Sequence, residues 1–190
     1  MQRLDTGDVV FGVLEPTEET VLTDEGGRGQ VRLVLSFRTV PKRIPYPILV
    51  PVHPDVPPHP NLRLPDAGEI GFLLPDPAAL LAPVRDALAA MDDVPWCVPY
   101  SDGLGELRAE ERALVQFVRI PRDLRTSAEE VVRMAAFVRD GGWVPVAWNL
   151  ANESEANALL QLGLIHGEGP AAPRPAHEAF SYGEVENEPF

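Results

Sequence analysis

The chain has 190 residues, with 16 Lys and Arg against 29 Asp and Glu, and a formal net charge of −13. This length is typical of one domain, and the hydrophobic fraction of 45% is sufficient to build a core. The negative charge argues against nucleic-acid binding by the body of the protein, which would need a basic surface. A single cysteine excludes an internal disulfide, and no apolar run approaches the ~20 residues of a membrane helix. We expect a protein that is cytoplasmic, or assembled into a particle, and that does not bind membranes.

The first part of the chain predicts an antiparallel sheet. Residues 8–14 are rich in β-branched and aromatic side chains, and residues 30–39 alternate apolar with polar ones, as in a half-buried strand. The glycine-rich residues 24–29 predict a turn, so we expect a hairpin of these two strands. Residues 48–52 are flanked by prolines, which favour a sheet edge or an extended segment. Residues 69–74 predict another short strand.

The remainder of the chain has helical signals. The caps and apolar spacings predict helices over residues 76–91, 104–120, from Thr126 or Ser127 to Gly141, and 153–164. One late strand, residues 143–148, falls between the last two helices. The sequence therefore predicts an α+β fold with an N-terminal antiparallel sheet followed by three or four helices. Residues 1–167 would form one domain, and residues 168–190 a proline-rich linker with an extended acidic tail.

Few residues suggest a metal-binding or catalytic role. His53, Asp55 and His59 are the nearest approach to a metal-ligand set, but the interleaved prolines keep the backbone extended and spread the side chains apart. Cys97 has apolar neighbours, which raise the pKa of a thiol, whereas a catalytic thiolate needs it lowered. A core position is the better interpretation for Cys97. We predict no catalytic residue, no metal and no cofactor, and thus a non-enzymatic protein.

Two tryptophans, Trp143 and Trp148, flank the late strand. At this spacing they face opposite sides of a sheet, so one can be buried while the other lies at a surface. We favour core positions for both. An interface position for one stays open, because tryptophan is enriched at interaction sites.

The chain ends in the acidic sequence Gly-Glu-Val-Glu-Asn-Glu-Pro-Phe, residues 183–190. About the last seven residues resemble the C-terminal tip of bacterial single-stranded DNA-binding proteins, in which acidic residues precede a terminal Pro-Phe. The pattern departs from that family, since glutamates replace the usual aspartates and Glu188 stands where an aliphatic residue is usual. Phe180 and Tyr182, just upstream, favour a segment that packs against a protein surface.

These features predict a protein-binding role for the tail. The partner would offer a hydrophobic or basic pocket, and homo-oligomerisation is compatible with this prediction. The residues expected to bind the partner are Phe180, Tyr182, Glu184, Glu186, Glu188, Pro189 and Phe190. We expect a non-enzymatic acidic adaptor or structural subunit, with a large assembly such as a virion as its setting by analogy. The alternative, implied by the resemblance, is a DNA-replication or repair accessory protein that recruits partners through the Pro-Phe tip.

Overall fold

The computed structural model describes residues 1–5, 10, 12–13, 18–23, 31–36, 47–58, 69–91 and 94–169. Several predictions from the sequence concern residues outside these ranges. They are the turn at residues 24–29, the candidate ligand His59, and the partner-binding residues Phe180, Tyr182, Glu184, Glu186, Glu188, Pro189 and Phe190.

A largely parallel sheet organises the described residues. Its strands are β1 (Gln2–Arg3), β2 (Gly12–Val13), β5 (Ile48–Pro51), β6 (Ile70–Leu73), β7 (Trp96–Pro99), β8 (Val115–Ile120), β9 (Val144–Ala147) and β10 (His166–Gly167). Their order is β1-β10-β9-β8-β7-β6-β5-β2, with only β1 antiparallel to its neighbour. The six strands from β5 to β10 thus lie side by side in chain order. A separate antiparallel pair is formed by β3 (Glu18–Thr23) and β4 (Val31–Ser36).

Helices connect the later strands. They are α1 (Ala82–Ala89), α2 (Ala109–Leu114), α3 (Ala128–Asp140) and α4 (Glu153–Gln161), one in each connection from β6 to β10. Short 3₁₀ turns cover Pro77–Ala79, Asp102–Glu106 and Arg122–Leu124. Each of these helices connects a strand to the next parallel strand of the sheet, always in the same direction along the strand order. Right-handed connections of this kind place the four described helices on one face of the sheet. The buried side chains of α1 and α3 accordingly pack against outward residues of the strands, such as Phe72, Trp96 and Val118.

The opposite face of the sheet is concave. Gln2 pairs with β10 at one edge and Gly12 pairs with β5 at the other. Eight strands laid flat would separate those edges by about 34 Å. Yet the amide of Val10, two residues before Gly12, donates to the carbonyl of Met1 at 3.1 Å. The sheet is therefore curled into a half-barrel, and its inner face is filled by the cluster of Met1, Leu49, Cys97, Phe117 and Val146.

The predicted α+β fold is wrong, since the protein is α/β with a parallel curled sheet and not an N-terminal antiparallel one. The main error lies at residues 104–120, where α2 ends at Leu114 and the central strand β8 follows. Strand β8 is mostly apolar and lacks a regular alternation, so periodicity cannot distinguish it from a buried helix. Strand β7 was not predicted either, because residues 96–99 were assigned to no element.

Other errors concern strand pairing in the first part of the chain. The alternating strand β4 pairs with β3, and not with residues 8–14 as the predicted hairpin requires. Residues 12–13 instead pair parallel with β5. Strand β5 is not an edge strand, because it lies between β2 and β6. Its prolines bracket the strand, so Ile48, Leu49 and Val50 keep their amides.

The helix caps were predicted more reliably than the pairing of the strands. The side chains of Ser127 and Asn152 cap α3 and α4 by accepting the amides of Glu130 and Glu155. The predicted strands at residues 69–74 and 143–148 are confirmed as β6 and β9. The single helix predicted for residues 76–91 is instead a 3₁₀ turn followed by α1, because Pro83 falls in a first helical turn and starts a new helix. Within the described ranges, none of the helices has the length and apolar character needed to cross a bilayer.

Candidate functional site

Three polar or aromatic residues meet where the parallel strands end. Arg119 is the penultimate residue of β8, Trp148 follows β9 directly, and Glu168 follows β10 directly. The carboxyl ends of parallel strands lie along one edge of a sheet, and this is the edge where α/β proteins bind ligands. We take this carboxyl edge as the candidate functional site.

Arg119 and Glu168 form a buried ion pair at this edge. The guanidinium Nη2 of Arg119 donates to Oε1 of Glu168, and the two residues are only 9% and 8% exposed. Arg119 shares the inner face with Phe117, because side chains alternate along a strand. Two atoms of the pair, Nε of Arg119 and Oε2 of Glu168, are buried without a hydrogen-bond partner. The pair is therefore held by one hydrogen bond where the geometry of the two groups would allow two.

Trp148 lies against Arg119 of this pair, and its backbone is fixed by two hydrogen bonds. The guanidinium carbon of Arg119 is 4.0 Å from the centroid of the indole, a cation–π contact. The amide of Trp148 donates to the carbonyl of Ile120 at 3.0 Å, and its carbonyl accepts from Arg125 at 2.8 Å. Arg125 also pairs with Glu155 at 3.0 Å. Burial lowers the pKa of Arg125 and Glu155 opposes this shift, so the cation is retained.

An open cleft of about 550 Å³ adjoins Trp148. It lies between the segments that follow β8 and β9 and is lined by Pro121, Arg122, Asp123, Trp148 and Asn149. Trp148 is 38% exposed, whereas Trp143 is 7% exposed and donates its indole N–H to the carbonyl of Arg112. The prediction of a core position is thus confirmed for Trp143 and wrong for Trp148.

Cys97 lies in the inner cluster and not in the cleft. Burial raises the pKa of its thiol to about 12, and the nearby Arg119 offsets this only in part. A thiol of this kind is protonated at neutral pH and is a poor nucleophile. The core position predicted for Cys97 is confirmed.

The candidate metal ligands His53 and Asp55 form a local turn. The Nδ1 atom of His53 accepts the amide of Asp55 at 3.1 Å, and lies 4.0 Å from its carboxylate. His59 falls outside the described residues. Among the residues that the structure describes, no group of three or more His, Cys, Asp and Glu side chains converges on a point where a metal ion would fit.

A second buried carboxylate, Glu111, lies in the helical layer, away from the carboxyl edge. Its Oε1 accepts from Nε of Arg85 at 2.9 Å and from Nη2 of Arg108 at 2.8 Å, while its Oε2 accepts from Arg85 and from the amide of Arg108. Burial alone would raise the pKa of Glu111, but the hydrogen bonds from Arg85 and Arg108 outweigh it and lower the value to about 2. This cluster joins α1 to the start of α2 and is structural.

Sequence reasoning missed Arg119 and Glu168. Arg119 stands in the apolar run that was predicted to be a helix, and Glu168 was assigned to the linker. One signal was present: a charged residue at the end of an apolar, β-branched run that stops at a proline is typical of the carboxyl end of a parallel strand. No protein-family model matches the chain, and no curated protein is similar enough to match it. The functional interpretation therefore depends on the geometry of the site.

Proposed function

We propose that this chain is a non-enzymatic adaptor or structural subunit that binds a protein partner through its acidic, aromatic C-terminal residues 180–190. The observation that supports this most directly is the position of Glu168. Its carboxylate is buried with Arg119, and its backbone bonds to Ala147 and Leu150 at 2.9 Å each. The chain beyond Gly169 therefore starts from a fixed point at the carboxyl edge of the sheet.

The composition of residues 180–190 supplies the chemistry of binding. Phe180, Tyr182 and Phe190 offer aromatic surface, and three glutamates among the last seven residues offer negative charge. A partner with an apolar pocket rimmed by Arg or Lys would bind the aromatic groups and be attracted by the carboxylates. In the setting of a large assembly, this segment would link one subunit to its neighbour.

A pull-down with full-length protein and a variant ending at residue 179 tests this proposal. The handle should avoid both ends of the chain, because Met1 packs in the inner cluster. A Glu129→Cys substitution provides one, since Glu129 is exposed and the native Cys97 is buried. Biotin attached there would immobilise the protein with residues 180–190 untouched. We expect the full-length chain to capture a partner protein that the shortened chain does not capture. The purified partner should then bind the full-length chain directly.

A matched control keeps the test specific. Phe137→Ala removes a 51% exposed aromatic side chain from the body and should retain the partner. Replacing Glu184, Glu186 and Glu188 together by Gln should weaken binding and reduce its salt dependence. Equal capture by full-length and shortened chains would contradict the proposal.

The alternative role in DNA metabolism is favoured by one observation, the terminal Pro189-Phe190 of the sequence. The same two proteins distinguish the roles. If the shortened chain fails to recruit a replication or repair protein and keeps its assembly state, the accessory role is supported. If it instead fails to oligomerise or to enter a particle, the structural role is supported.

A further inference from the structure

The cleft beside Trp148 has the dimensions of a small-ligand site. Its volume of about 550 Å³ falls within the roughly 300–1,000 Å³ that is usual for such sites. It opens at the carboxyl ends of β8 and β9, the part of a parallel sheet where ligands bind. Arg119 is nine-tenths buried, lies against Trp148 and has an unpartnered Nε, so the hydrogen bonding of this edge is incomplete.

The electrostatics of the indole disfavour a cationic ligand. The guanidinium of Arg119 lies 4.0 Å from the ring centroid, so one face of Trp148 already carries a positive charge. A second cation on the cleft side would be repelled by it, which weakens the cation–π attraction that binds choline-like groups. The ring surface that lines the cleft remains suitable for stacking against an uncharged ring.

An anionic ligand is disfavoured as well. The lining of the cleft contains the carboxylate of Asp123 as well as the cation of Arg122, and the whole chain carries a net charge of −13. The guanidinium of Arg122 is also drawn towards Glu155, 3.6 Å away. A phosphate or sulfate would gain little from this mixed lining and would be repelled by the rest of the protein.

The polar groups of the cleft match hydroxyl groups. Arg122 donates hydrogen bonds, Asp123 accepts them, and the amide of Asn149 can do both. Asn149 has a backbone φ of 60°, a left-handed conformation that asparagine tolerates better than most residues and that occurs often at functional sites. A hydroxyl group is at once donor and acceptor, so a ring that carries several hydroxyls can use all three side chains.

We propose that this cleft binds a neutral saccharide, with one sugar ring stacked on Trp148 and its hydroxyls bonded to Arg122, Asp123 and Asn149. The proposal goes beyond the adaptor role, because it concerns a different surface and needs none of residues 180–190. Because the cleft is open to solvent, the sugar can be one unit of a longer glycan.

Titration of the full-length protein with maltotriose, cellotriose and chitotriose tests the proposal, by calorimetry and by tryptophan fluorescence. Of the tryptophans, Trp96 and Trp143 are buried and Trp148 is exposed, so a fluorescence change on binding reports on the cleft. We expect at least one trisaccharide to bind with a dissociation constant below about 10 mM. Because the ligand is neutral, this constant should change less than about twofold between roughly 0.05 and 0.5 M NaCl.

Variants separate stacking from hydrogen bonding. Trp148→Ala should weaken binding at least about tenfold and Trp148→Phe less, since phenylalanine keeps a stacking surface. Asp123→Asn should weaken it about threefold to tenfold. Phe137→Ala, with an exposed aromatic residue on α3, is the control and should bind as the wild type does. Thermal melting of each variant confirms that it folds.

Three results would overturn the proposal. The first is the absence of binding by all three trisaccharides at about 20 mM. The second is binding that Trp148→Ala leaves unchanged in a folded protein. The third is Trp148-dependent binding of choline, adenosine or inorganic phosphate in place of the sugars, which would assign the cleft to another class of ligand.

Discussion

Among the residues that the structure describes, the buried carboxylates Glu111 and Glu168 differ in how fully their hydrogen bonds with arginine are formed. Glu111, on α2, accepts four hydrogen bonds, two from Arg85 on α1 and two from Arg108. Glu168, at the carboxyl edge, accepts one from Arg119, and leaves Oε2 and the Nε of its partner unpaired. Both carboxylates are buried, so burial alone does not explain the difference.

Position in the fold does explain it. Glu111 lies in the helical layer, where a fully satisfied network joins two elements and repays the cost of burying charge. The partner of Glu168, Arg119, lies against the exposed Trp148, which lines the open cleft. A side chain that is not fully bonded there keeps capacity for other contacts. Native proteins tolerate such incomplete bonding mainly at functional sites. The comparison therefore favours a structural role for Glu111 and is consistent with the ligand site that we propose at the carboxyl edge.

Replacement of Glu111 should have the largest effect on stability. Glu111→Gln removes the buried carboxylate that the half-buried Arg85 binds, and we expect the free energy of unfolding in urea to fall by about 3–5 kcal/mol. The control is Glu110→Gln, whose side chain is 62% exposed and should change stability by less than about 0.5 kcal/mol. A loss below about 1 kcal/mol for Glu111→Gln would mean that the network is not a structural one.

The same variant tests the pKa of Glu111. That pKa is lowered in the folded protein from an ordinary value of 4.5 to about 2. Such a group stabilises the fold fully above the unfolded value and loses this contribution as the pH falls through the folded one. Wild type should therefore lose stability between pH 4.5 and 2, and Glu111→Gln should lose less over that range.

Replacement of Glu168 should cost less, about 1–3 kcal/mol for Glu168→Gln, because only one hydrogen bond to a charged group is lost. The double variant Arg119→Met with Glu168→Leu removes both charges of this ion pair. It should recover most of the loss, since apolar residues of similar volume often replace a buried ion pair without cost. Urea unfolding of the single and double variants measures this. A double variant less stable than Glu168→Gln would show that the pair is structural, as the Glu111 network is.

The sequence predicted local structure here better than the overall fold. The caps Ser127 and Asn152 act through neighbouring amides, so their signal lies within a few residues and was read correctly. The fold class depended on β8 (Val115–Ile120), which is buried at every position except Gln116 and shows no regular alternation of apolar and polar residues. Only the neighbouring strands β7 and β9 show that this run is extended, and sequence periodicity contains no information about neighbours.

The candidate site was harder to predict because its members are distant in sequence. Arg119 and Glu168 are 49 residues apart and meet only because β8 and β10 end at one edge of the sheet. The sequence favoured core positions for both tryptophans and did not say which of them could be exposed, and the contact of Trp148 with Arg119 depends on the order of the strands. Once the parallel order is known, the residues at the ends of the strands indicate the site directly.

The smallest expected effect concerns His166, in the strand next to Glu168. Burial lowers the pKa of His166, and the positive charge of Arg3, its partner across the strands, lowers it further, while Asp5 opposes both. Near pH 6.5 the imidazole therefore binds a proton more readily in the unfolded chain than in the folded protein. The free energy of unfolding should thus fall as the pH drops below that value. We expect His166→Asn to show a shallower decline in melting temperature between roughly pH 7 and pH 5 than wild type. An equal decline of the two melting temperatures would mean that His166 is protonated in the folded protein as readily as in the unfolded chain. Water would then reach the side chain of His166 between β1 and β10, in contrast to the buried carboxylate of Glu111.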